Sequence, residues 1–311
     1  MKMSYSTGLI CCLLATISWG AMFPVMTDAL RYIDPFNFTT IRYGIAGLAF
    51  SFILLLREGI KGFSLQGERW GLAWFFGTLG FAGFGFLVFL GQQMAGPSGA
   101  LTASIMMATM PMLGLLTIWV LKKNRPHTST FGFILMSFAG VLLVITNGNA
   151  GAIFNSPLNL TANSLLISGA LCWVLYTVGG SYFPHWSPVR YTTITTVLGM
   201  LSVITIDGTL ILTGHIMLPD MSVVGTVTPH LLYMALIAGL MAVLCWNIGN
   251  KIITPTNGVL FMDVVPVTAF IVSALIGIVP SSVQLAGAGI TATALILNNL
   301  NQRKQAHENR R

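Results

Sequence analysis

Charge is scarce in this chain. Asp, Glu, Lys and Arg make up 7% of its 311 residues, against about 25% in ordinary soluble domains. That deficit excludes both a soluble globular fold and a charged disordered chain. The basic residues behind the formal net charge of +7 sit in short loops and at the C-terminal tail and form no basic stripe. Nucleic acid is therefore excluded as a partner. Cysteine is sparse too: Cys11, Cys12, Cys172 and Cys245 all fall inside apolar runs, at spacings that suit neither a disulfide framework nor a metal site. The sequence lacks the ten-residue alternating segments of a transmembrane barrel. It also lacks a Walker A loop, so ATP does not drive this protein directly and no cofactor is expected.

What the chain does have is hydrophobic length. Apolar residues make up 55% of it and the mean hydropathy is +0.81. The apolar runs divide at 6–32, 35–56, 70–95, 98–121, 129–147, 160–183, 188–214, 230–252, 256–279 and 282–300, each near the ~20 residues that cross a bilayer core. The expected fold is an all-α polytopic membrane protein of about ten transmembrane helices, set in the lipid bilayer of a bacterial inner membrane. Lys2 ahead of an apolar stretch imitates a signal peptide, but the run continues to about Ile33 with no small-residue cleavage site. It reads as a retained first helix. With the N-terminus inside, the inner segments hold Lys2, then Arg57, Lys61 and Arg69, then Lys122, Lys123 and Arg125, then Arg303, Lys304, Arg310 and Arg311, while the outer loops hold only Arg31. Both termini are expected in the cytoplasm. The third span is dense in glycine, from Gly71 to Gly91, and is expected to be central and tightly packed.

The chain also repeats itself. Trp19 and Pro35 correspond to Trp173 and Pro188, while Gln92 and Pro111 correspond to Asn247 and Pro266 at one constant offset. The segment 147–161, rich in Gly, Asn, Ser and Pro, separates the copies. The domain reading is a first repeat at 1–148, an external linker at 149–159, a second repeat at 160–300 and a basic cytoplasmic tail at 301–311. Five spans per repeat is odd, so the second copy is expected to be inverted. The loops agree, being basic after span two and free of Lys and Arg at 215–229 after span seven. Inverted repeats mark secondary transporters, with a site near the midplane between the copies.

With these marks the chain resembles the drug/metabolite transporter superfamily in its ten-helix, EamA-type form. The residues that carry the resemblance are Ser18-Trp19-Gly20, Pro35 with Arg42, Pro111, and then Trp173, Pro188, Pro266, Gln284 and Gly287. The Gly-Glu pair often found in this family after the fourth and ninth helices is replaced here by Leu121-Lys122-Lys123 and Val279-Pro280-Ser281. The resemblance implies alternating-access transport of a small polar metabolite, with efflux of amino acids or related compounds favoured and uptake left open.

The candidate site follows from polar groups that hydrocarbon does not tolerate without a reason. The stretch 246–266 holds Asn247, Asn250, Lys251 and Asp263, and Pro266 ends it. Asp263 is expected to bind a substrate amine or to carry protons as the coupling ion; the structural alternative is an ion pair with Lys251 or Arg42. Asn247, Asn250 and Lys251 share one helix face, and Gln92 is expected to face Asn247 across the pseudo-symmetry axis. Lys251 meets substrate or snorkels to the headgroups. Arg42 suits a carboxylate, from substrate or from Asp28, Asp34 or Asp263. Trp19, Trp173, Tyr43 and Tyr176 are candidate walls. Pro111 and Pro266 are candidate helix breaks, freeing the carbonyls of Met107 and Met262. Trp70, Trp119 and Trp186 read as interface anchors, and Asp28 and Asp207 as interfacial. Gly96-Pro97-Ser98-Gly99 imitates an intramembrane protease motif, but His185, His215 and His230 fall near span ends. A lipid scramblase, with a lateral opening and a basic headgroup pocket, is the rival from another class. Monomer and homodimer both remain open.

Overall fold

The computed structural model describes residues 4–96, 99–123, 128–146, 148–149, 157–275, 277 and 281–308. Most of the linker, the side chains of the basic tail beyond Asn301, and Pro97-Ser98 of the protease-like motif lie outside the described residues. Among the described residues every regular element is helical. In order they are α1 (Tyr5–Ala29), α2 (Pro35–Glu58), α3 (Trp70–Met94), α4 (Gly99–Leu121), α5 (Thr128–Thr146), α6 (Leu160–Tyr182), α7 (Pro188–Leu212), α8 (Met221–Ile253), α9 (Pro255–Leu275) and α10 (Ser282–Glu308). Eight are long and apolar enough to cross a bilayer, and α5 and α10 contain shorter apolar stretches, Thr128–Gly140 and Ser282–Asn298. Leu48, Phe52 and Leu56 of α2 and Leu201 and Ile204 of α7 point outward and exposed, as lipid-facing residues must. This is a multi-pass membrane protein.

The repeat prolines start helices. Pro35 and Pro188 are each the first residue of α2 and α7, where a missing N–H costs nothing. The preceding Asp34 caps Phe36 and Asn37, and Ser187 caps Arg190.

The two halves interlock. α1 packs on α8 as α6 packs on α3, and the counterparts α2 and α7, α4 and α9, and α5 and α10 pack directly on each other. Gly8, near the start of α1, lies against Ile252 and Ile253 at the end of α8, whereas Ala162, at the start of α6, lies against Gly91 at the end of α3. Equivalent helices therefore begin at opposite ends of the bundle, so the second repeat is inverted. The glycines of α3 do what their density suggests. A side chain at Gly77 would collide with the Thr195 carbonyl, and one at Gly199 with the backbone of Gly77, so α3 and α7 touch backbone to backbone.

The helices also deform at matching places. α3 contains a π-helical segment at Thr78–Gly83 and α8 one at Tyr233–Met241, starting at equivalent positions. α4 is interrupted at Ala108 and Thr109, whose N–H groups bond to the carbonyls of Ile105 and Met106 in short turns. α9 is 3₁₀ over Val259–Asp263, directly before Pro266's turn. Pro111 and Pro266 each lie within the first turn of the helix that resumes, so the breaks fall at the turns below the prolines.

Two expectations change here. The segment 215–229 is not all loop: α8 begins at Met221 and carries Pro229 inside it. Trp186 is buried rather than interfacial, against Phe183 and beneath the Arg190 guanidinium, whereas Trp70 and Trp119 are exposed.

Candidate functional site

The π segment of α8 prepares the centre of the molecule. Lengthening the helical hydrogen-bond ring releases carbonyls from the regular ladder. Two carbonyls of this segment accept from side chains of the other repeat. The Arg42 Nε–H donates to the Met234 carbonyl at 2.9 Å, and the Trp19 Nε1–H donates to the Ala238 carbonyl at 3.0 Å. These bonds fix a guanidinium and an indole over one small pocket. Its walls include Met22, Phe84, Trp173, Met262 and Val265, and the gap between them is no wider than a water molecule.

Arg42 is 1% exposed. It is always cationic. It lies 4.6 Å from the Tyr43 ring centre and 5.3 Å from that of Phe89, and one Nη reaches the Met22 sulfur. Among the described residues its Nη1 has no hydrogen-bond partner, and neither does the Trp173 Nε1–H, on the same pocket. The acids expected to pair with Arg42 are engaged elsewhere. Asp28 pairs with Arg31 and His230, and Asp34 caps α2. Among the described residues no carboxylate forms an ion pair with Arg42.

Aromatic rings continue from the pocket. Trp19 meets Trp173 and Trp246 edge-on, at 5.1 and 5.2 Å between centres. Trp173 leads to Tyr176 at 5.0 Å, and Tyr176 stacks on Tyr191 at 5.4 Å. Tyr191 opens on a cleft of about 880 Å³ where α6 meets α7 and α8 meets α9. Asn247, Asn250 and Lys251 all line that cleft. The Lys251 ammonium donates to the carbonyls of Pro184 and Trp186, closing the α6–α7 turn. Thr254 beside it has φ of 74°, a conformation that strains a β-branched residue. At the opposite end, Thr27, Arg31, Gln92 and Gln93 line a second cleft of about 520 Å³. Gln92 and Asn247 are equivalent, so these are two repeat-related vestibules with the pocket between them.

Residues 6–146 and 160–300 each match the EamA-like transporter family. The chain belongs to the EamA-like transporter family. It is 39% identical over 304 residues to "Uncharacterized transporter YrdR" of Bacillus subtilis (strain 168), covering 97% of this chain and 94% of that one. It is 30% identical over 276 residues to "Uncharacterized transporter YyaM" of the same organism, covering 88% and 87%. A solved crystal structure of a protein shares the fold with a TM-score of 0.71 at 20% identity, covering 97% of this chain and 99% of that one.

In this EamA-like transporter the expected site residues fall into separate groups. Arg42, Tyr43, Trp19 and Trp173 share the central pocket. Tyr176 stands one layer away, towards the larger cleft. Gln92 and Asn247 do not face each other. Gln92 donates to the Phe23 carbonyl and to Thr27 Oγ1, both at 2.7 Å, beneath one vestibule. Asn247 donates to the Tyr176 hydroxyl at 2.7 Å and to Thr192 Oγ1 at 2.8 Å, beneath the other. An inverted repeat sends equivalent residues to opposite ends unless they lie on the axis. Asp263 lines neither the pocket nor the vestibules. It is 4% exposed and lies among α4, α5, α9 and α10, with no ion pair to Lys251 or Arg42. Pro111 and Pro266 line the two gaps beside it. Asp207 is buried rather than interfacial. Phe84 and Tyr191 were not among the expected walls; single aromatics in apolar helices carry no mark that sets them apart from packing residues.

Proposed function

We propose that this chain is a secondary-active transporter of a small metabolite that carries a carboxylate, an amino acid or a related compound. The observation that carries this reading is Arg42: among the described residues it is a buried cation with no acid beside it and an Nη1 without a partner, in a pocket shared with a Trp173 N–H that likewise has none. A carboxylate is the group that satisfies both donors and the charge. The aromatic walls hold the substrate's apolar part, and the tight fit requires the pocket to widen as substrate enters.

Transport follows from the repeats. The vestibules above and below the pocket are each sealed by one amide, Gln92 or Asn247, and the π segments and helix breaks sit at equivalent places in both halves. Rocking one repeat against the other opens one vestibule as it shuts the other. With both termini in the cytoplasm of a bacterial inner membrane, the larger cleft with Lys251 is the cytoplasmic one. Efflux is the direction the family resemblance favours, and the chain works as a monomer or a homodimer. A scramblase would want its basic group at a lateral opening, and Arg42 is enclosed.

The test is a metabolite panel on proteoliposomes containing the full chain. Amino acids and small organic acids should exchange across the membrane, and Arg42→Gln should abolish that exchange while leaving a folded, monodisperse protein. A panel in which only amines or sugars move would refute the reading.

A further inference from the structure

Asp263 stands outside the substrate path, and its surroundings point to a different ligand. Thr109 on α4 donates to the Met106 carbonyl, and Thr291 on α10 donates to the carbonyls of Gly287 and Ser137. The Thr109 and Thr291 hydroxyls are thus engaged within or between helices. Asp263 Oδ1 and Asn298 Oδ1, both on the gap between α4, α5, α9 and α10, are buried acceptors without a donor among the described residues. Turning the Asn298 amide round would offer a neutral N–H and leave the carboxylate's charge uncompensated. Among the described residues lining the two gaps beside Asp263, it is the sole titratable one. Among the described residues, nothing charged lines these gaps from α4, α5 or α10. A buried carboxylate in this setting takes up a cation or gives up its charge. One carboxylate balances one positive charge.

We propose that Asp263 and Asn298 form a monovalent-cation site, for a proton or a sodium ion, separate from the substrate pocket and mechanically joined to it. The joint is the 3₁₀ segment Val259–Asp263 and the turn that follows. Asp263 faces the cation site, while its neighbour Met262 and then Val265 form a wall of the pocket that holds Arg42. A cation that prefers one arrangement of this turn changes the pocket wall, and substrate changes cation affinity by the same factor. The proposal rests on the transporter reading only in making the cation a driving ion.

The test needs no substrate. The full-length protein in nanodiscs is titrated with sodium chloride against choline chloride at constant ionic strength, with the thermal midpoint as readout. Infrared difference spectra follow protonated carboxyl bands across pH. A saturable sodium-dependent rise in the midpoint, absent in Asp263→Asn, supports a sodium site. No sodium effect, with a titrating carboxyl band that Asp263→Asn removes, supports a proton site. In either case Asn298→Leu should shift the midpoint of the titration roughly tenfold, the scale of one hydrogen bond to a charged group. The wild-type protein alone can overturn the proposal, by showing neither a sodium response nor a titrating carboxyl band. That result would leave the Arg42 reading standing, just as failure of the metabolite panel would leave the cation site standing.

Discussion

α4 and α9 break at the same place and carry different chemistry there. The turn before Pro111 ends in Ala108 and Thr109, and the equivalent turn before Pro266 ends in Asp263. α2 and α7 differ in the same way: Arg42 stands as far beyond Pro35 as Thr195 does beyond Pro188. Each half therefore keeps the backbone devices, the proline breaks and the π segments, and only one half keeps each charge. On the proposed transport reading, a backbone that deforms alike in both halves supplies two arrangements related by the pseudo-two-fold axis, which alternating access needs. A charge placed once gives a single pocket with one polarity. An arginine at the equivalent Thr195, itself fully buried, would add a second desolvated cation at a high electrostatic cost.

Removing the unique charge should have the largest effect. Arg42→Gln should lower carboxylate-substrate flux at least ~30-fold, since losing one partner of a buried charged pair costs about 2 kcal/mol or more. Thr195→Val, at the equivalent place, should leave flux within about 3-fold. Comparable losses from both would mean that α2 and α7 serve the substrate alike. Next comes the shared backbone contact. Gly77→Leu forces α3 from α7 and should destabilise the fold by roughly 1–3 kcal/mol, seen as a lower thermal midpoint with or without substrate. The two sealing amides should act with opposite sign. Gln92→Leu should raise labelling of a cysteine placed at Gly96, and Asn247→Leu that of one placed at Ser181, each roughly tenfold from one side of the membrane. If both variants open the same face, the vestibules are not alternates. The smallest effect belongs to Trp173→Phe, which keeps the ring and deletes the unpaired N–H. Its KM should rise about 3–10-fold with little change in maximal rate.

The sequence made much of this fold legible, and the reasons are particular. Scarce charge and long apolar runs gave the spans. Pro35 and Pro188 read correctly as matching marks because a proline at a helix start is tied to one position. The π segments left no trace, since Thr78–Gly83 and Tyr233–Met241 keep ordinary apolar sequence through the change in bonding. That silence hid how Arg42 and Trp19 are held. The start of α8 was missed because Pro229 looks like a boundary, yet it lies within a helix whose π segment follows close behind. The candidate site was legible as a set of residues and not as a grouping. Asp263, Arg42 and Lys251 are all deep and polar in sequence, but facing directions beyond a 3₁₀ turn cannot be counted from a 3.6-residue period. The odd span count and the loop charges make the inverted repeat legible, but that Gln92 and Asn247 lie at opposite ends rather than on facing sides depends on their distance from the axis, which sequence does not carry.

An Arg42 pocket that recognises a carboxylate must tell an acid from its neutral amide. Its most direct test compares a transported metabolite with its own carboxamide, same size and shape, in wild-type proteoliposomes. The amide should move at least ~30-fold more slowly than the acid, and Arg42→Gln should erase this preference. Equal transport of acid and amide by the wild-type protein would contradict it.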